Sequence, residues 1–113
     1  MVGVDSQDAE SIPGRLARQS AGDALRVTLH AHQEMVAEDI SYESLREALS
    51  ACQVVENYPD HRRGPCGLVC GRSAAGRSLH IVCTTTLPVA VIITVYEPVP
   101  PKWIGPVERG KLK

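Results

Sequence analysis

The sequence has no phenylalanine, a single tryptophan and three tyrosines in 113 residues. Aromatic packing therefore cannot build its interior, and the core falls to Val, Ile, Leu and Ala. It also lacks a long apolar run: the longest, Val89–Ile93, is far short of the roughly 20 residues that cross a bilayer as a helix. Residues 1–10 hold neither the basic nor the apolar stretch of a secretion leader, so the expected location is cytoplasmic with reduced thiols. No charge of one sign prevails, with 12 Lys/Arg against 13 Asp/Glu, which argues against a strong nonspecific grip on phosphates. No G-x-G-x-x-G, P-loop or H-E-x-x-H occurs, so the nucleotide-loop and zincin chemistries lack their motifs.

What is present fits one globular α+β domain. The apolar fraction of 43% and charged fraction of 22% are ordinary for folded chains and exclude collagen-like and wholly disordered classes. The charge is uneven along the chain: residues 1–58 carry four cations and ten carboxylates, and residues 59–113 carry eight and three. Complementarity within the fold explains this division, and so does a basic half turned toward a polyanion. Four cysteines are present. Cys66 and Cys70, four apart on a strand, stand about 13 Å from each other, too far to share one zinc. They read as structural, and no metal or cofactor is expected.

Residues 1–22 show no apolar stripe and read as a mobile tail, residues 23–104 as the domain, and 105–113 as a frayed end. The pattern from Asp23 to Ile40 suits a helix, although Arg26–Leu29 alternates as a short strand does. Ser41 fits an N-cap with Ile40 stapled onto Leu45, opening a second helix from Tyr42 to about Ala51. From there the period becomes two. Strands are expected at Gln53–Tyr58, Cys66–Arg72, Ser78–Thr84 and Val89–Tyr96, with Gly76 supplying a positive φ in the hairpin bend Ser73–Arg77. The last strand is apolar on both faces and belongs inside the sheet, with Ile93 a core residue. The expected architecture is two N-terminal helices on an antiparallel sheet of about four strands.

Several segments, taken together, resemble one family: HAHQEM at His30–Met35, the start Ile40–Ser41, VVENYPDHRRGP at Val54–Pro65, RSLHIVC at Arg77–Cys83 and VIITVYEP at Val91–Pro98. The chain resembles the bacterial domain of unknown function 4258 family over residues 27–104. Its members are similar to the RelE-like superfamily of small α+β toxins, and some are encoded beside a zinc-finger antitoxin. The resemblance thus implies a toxin–antitoxin role with messenger RNA as the target. The sequence departs from the family pattern at Glu34, where members often carry a basic residue, and at Thr85–Pro88, where they carry a polar turn with glycine.

Metal-free RNA cleavage needs a base for the 2′-hydroxyl, a cation for the phosphorane and an acid for the 5′-oxygen. His30, His32, His61 and His80 are the residues that titrate near neutrality. His80 and His30 are the leading acid–base candidates, with Tyr96 as a proton donor or stacking partner. Arg62, Arg63 and Arg72 are the candidate phosphate ligands. Each also has a plain structural reading: His30 as a capping histidine, His80 as a satisfied sheet residue, Arg62 and Arg63 as a solvated turn, Tyr96 as a strand-end packing residue, and Glu34 and Glu56 as surface charges. The alternative to a ribonuclease is therefore a non-catalytic, partner-binding module of the same fold.

Overall fold

In the computed structural model, residues 11–62 and 64–98 are described. Three helices each begin at a side-chain cap. Ser11 opens α1 (Ile12–Ala21), Thr28 opens α2 (Leu29–Ala37) and Ser41 opens α3 (Tyr42–Ser50). Their hydroxyls accept the amides of Gly14, Ala31 and Ser44 at 3.0–3.1 Å, satisfying donors that the first turn leaves without a helical partner. Ile40 and Leu45 are both buried around the third cap, as the staple requires.

The strands are β1 (Leu25–Val27), β2 (Gln53–Tyr58), β3 (Cys66–Arg72), β4 (Ser78–Thr84) and β5 (Ala90–Tyr96). They form one sheet in the order β1-β5-β4-β3-β2. The hairpin of β3 and β4 turns at Gly76, whose φ is 87°, and β5 lies inside the sheet beside it, as expected. The sheet is mixed rather than antiparallel, and has five strands rather than four: the alternating stretch at Arg26 becomes β1, which pairs in parallel with β5 through Leu25↔Ala90 and Val27↔Ile92. Three residues leave little trace in a periodicity, and the parallel partner lies far along the chain.

A second correction concerns residues 12–21, assigned above to the tail. They form α1, which packs on α3. Its buried face consists of Leu16, Gln19 and Ser20, so no apolar stripe marks it. Polar anchors hold it instead: Gln19 Nε2 and Arg15 donate to the Leu87 carbonyl at 2.8 and 3.1 Å, and Arg46 Nε donates to the Ser20 carbonyl at 3.0 Å. The assignments to residues 1–10, to 105–113 and to Arg63 lie outside the described residues.

All three helices pack on one face of the sheet. The core there unites Leu16, Met35, Leu45 and Leu49 with Val69, Leu79, Ile81, Ile92 and Val95. Gly71 lets α3 close onto β3, since a Cβ at this position would lie 1.9 Å from the Ala48 carbonyl oxygen. On β5 a register shift opposite Val82 and Cys83 turns both Ile92 and Val95 into the core, where strict alternation would have sent only one of them. Ile93, expected in the core, is only half-buried.

Candidate functional site

The other face of the sheet is set by register. Gln53 pairs with Cys70, Cys70 with His80, and His80 with Tyr96, so these four side chains form a row across β2, β3, β4 and β5 on the side away from the helices. His80 Nδ1 lies 3.2 Å from the Tyr96 hydroxyl, in one hydrogen bond whose direction the histidine tautomer sets. The rings meet edge-on, with centroids 5.3 Å apart and planes at 63°. His80 is fully buried and Tyr96 half-buried. Burial pushes the Cys70 thiol up, an effect the nearby Arg72 guanidinium opposes. Arg72 is exposed on the same face, across from Ser78 and at the end of the sheet where His80 and Tyr96 meet.

The structure thus brings His80, Tyr96 and Arg72 to one end of one face. The remaining candidates stand elsewhere. Arg62 is exposed in the loop between β2 and β3, at the end of β3 opposite Arg72, a separation of roughly 20 Å along a seven-residue strand. His61 is exposed in the same loop, and His32 is exposed on α2. His30 lies exposed in the first turn of α2, with Nε2 3.4 Å from Glu34 Oε2. Among the described residues, no group of three or more His, Cys, Asp or Glu side chains is arranged to hold a metal.

Glu34 is more than the surface charge expected of it. Its other oxygen accepts the Val95 amide at 2.9 Å, and one turn later Glu38 Oε1 accepts the Glu97 amide at 3.0 Å. Because β1 ends at Val27, β5 continues without a strand on that edge, and the two carboxylates of α2 take the place of the missing neighbour. The rises match: four helical residues and two strand residues each advance roughly 6–7 Å.

A further cluster escaped the sequence. Arg77 pairs with Glu97 through Nε at 3.0 Å and donates to the Asp39 and Glu38 carbonyls at 2.9 and 2.6 Å, so a cation closes the C-terminus of α2. Asp39 follows that helix with φ 57°, and Ile40 N donates to the Met35 carbonyl at 2.8 Å, a Schellman closure with aspartate where glycine is usual. The only trace in the sequence was that Arg77 and Glu97 fall in two of the segments that carried the resemblance.

No helix among the described residues is long and apolar enough to cross a membrane. No curated protein and no solved structure gave a significant match. The family model described as Domain of unknown function (DUF4258) matches residues 27–97, a span that runs from the end of β1 to Glu97 and takes in both the His80–Tyr96 contact and the Arg77 cluster. The chain belongs to the DUF4258 family.

Proposed function

We propose that this protein is the toxin of a toxin–antitoxin pair with a RelE-like ancestry, a metal-independent endoribonuclease acting on messenger RNA and held in check by a zinc-finger antitoxin. The observation that carries the chemistry is the His80–Tyr96 contact with Arg72 exposed at the same end of the same face. Tyr96, the more exposed of the pair, meets the RNA. It takes the proton of the 2′-hydroxyl as its own passes to His80 Nδ1. The 2′-oxygen then forms a bond to phosphorus, the bond to the 5′-oxygen breaks, and the departing oxygen takes a proton from water, whose hydroxide is neutralised by the proton that His80 gives back through Tyr96. Arg72 lies against the negative charge of the phosphorane. His80 is a positioning and proton-storing residue, because its burial keeps it from touching the substrate.

Complete burial of His80 favours a second reading, a partner-binding module in which the His80–Tyr96 pair only fixes the sheet. Induced expression in bacteria, followed by growth, and incubation of the purified protein with labelled RNA separate the two. A ribonuclease leaves a 2′,3′-cyclic phosphate, and Tyr96→Phe and Arg72→Ala each lower cleavage by about 10²-fold or more with the fold intact. No cleavage and no growth defect from the wild type leaves the partner-binding module.

A further inference from the structure

Helix α2 is apolar on two sides. Ala31 and Met35 are its buried residues, whereas Leu29 and Val36 stand 71% and 68% exposed. These two are seven residues apart, two helical turns, so both point outward on one side, with exposed His32 and Gln33 between them. In α1 and α3, by contrast, every leucine and isoleucine lies in the core or against it.

The charges of α2 run against its own dipole. Its first turn holds no acidic residue and its last no basic one. Arg26, His30 and His32 are exposed at the N-terminal end and Asp39 at the C-terminal end, the reverse of what the field of a helix favours. Arg77 takes the Asp39 carbonyl but not its carboxylate, which has no bonding partner among the described residues. Arg26 Nη1 donates to the Leu25 carbonyl at 2.9 Å. That carbonyl points off the edge of the sheet, because Ala24 and Thr28 bond to β5 and the residues that alternate with them face away.

We propose that this face takes a second copy of the chain, with α2 packed antiparallel on α2 about a two-fold axis. A pair that sets Leu29 against Val36 of the second copy also sets Arg26, three residues before, against Asp39, three residues after. Each contact occurs twice, as an interface built from one surface requires. Each acidic helix end then meets the basic, dipole-positive end of the other. The nine residues of α2 make about 14 Å of helix, too little for the roughly 800 Å² per partner of a stable interface, so the dimer is weak and depends on concentration. It forms whether or not the chain cleaves RNA.

Sedimentation equilibrium of the intact chain, from micromolar to millimolar concentration, is the test. The mass should rise from 12.2 kDa toward twice that value, and Val36→Glu, a change at an exposed position, should hold it at one chain. Arg26→Glu and Asp39→Lys should each weaken association by about tenfold or more, because like charges then meet twice. Mixed in equal amounts, these two variants should associate again, since both contacts become pairs of opposite charge. Recovery on mixing separates docking from a loss of folding, which circular dichroism checks in each protein. A wild-type chain that stays monomeric at millimolar concentration overturns the proposal and leaves the face to a different protein. So does a dimer that Val36→Glu leaves intact, and so do charge variants that fold yet fail to associate when mixed.

Discussion

Glu34 Oε1 accepts the backbone amide of Val95 at 2.9 Å, which makes a helix side chain serve as the neighbouring strand of β5. With Glu38 on the Glu97 amide, the sheet edge is closed by carboxylates at the spacing of one helical turn. The second oxygen of the same Glu34 lies 3.4 Å from Nε2 of the exposed His30, so one carboxylate faces both the sheet edge and the first turn of α2.

Removing the acceptor should therefore cost stability. Glu34→Ala leaves the Val95 amide without its partner and should lower the unfolding free energy by about 1–2 kcal/mol, while Glu34→Gln, which keeps a carbonyl oxygen, should cost less than about half of that. Urea unfolding of the three proteins checks the order, and an Ala variant as stable as wild type would show that water replaces the carboxylate without loss.

The register shift in β5 makes two adjacent isoleucines unequal. Ile92 is fully buried in the core, so Ile92→Ala should cost about 3–4 kcal/mol, whereas half-buried Ile93→Ala should cost about 1 kcal/mol. Chemical denaturation of the pair should separate them, and equal losses would contradict the bulge.

At Gly71 the approach of α3 leaves no room for a methyl group. Gly71→Ala must push backbone against backbone and should destabilise by about 3 kcal/mol, at the upper end of overpacking costs. Its thermal transition compared with that of Gly76→Ala, where the cost comes from the positive φ with open space around the side chain, distinguishes a steric from a conformational penalty.

Two thiols make stability depend on alkaline pH. Burial pushes Cys52 from its ordinary 9.0 up to about 11 and Cys83 up to about 12. The folded state then keeps protons that the unfolded chain has lost, so this contribution is fully present below about pH 9 and is lost as pH rises toward 11 and 12. Unfolding midpoints under reducing conditions should fall across that window, and Cys83→Ala should flatten the fall even as it lowers the plateau.

The four long strands, their hairpin and the cap at Ser41 were legible because each is written in neighbouring residues: alternation, a glycine bend, a hydroxyl before an apolar stripe. The pairing of His80 with Tyr96 was half legible, since alternation gives each side chain its face but the register that sets them side by side belongs to the sheet. Helix α1, the parallel strand β1, the two carboxylates on β5 and the Arg77 clasp were not legible. Gln19 and Leu87, Glu34 and Val95, or Arg77 and Asp39 are many residues apart, and nothing in a local period says that a glutamine will be buried or that a surface-like glutamate will hold a strand. The sequence by itself determined the helix after Ser41 and the four long strands, because their apolar residues recur at a local period. Only the tertiary structure decided which polar side chains that packing leaves close enough to bond, because each such contact depends on backbone groups brought together from distant parts of the chain.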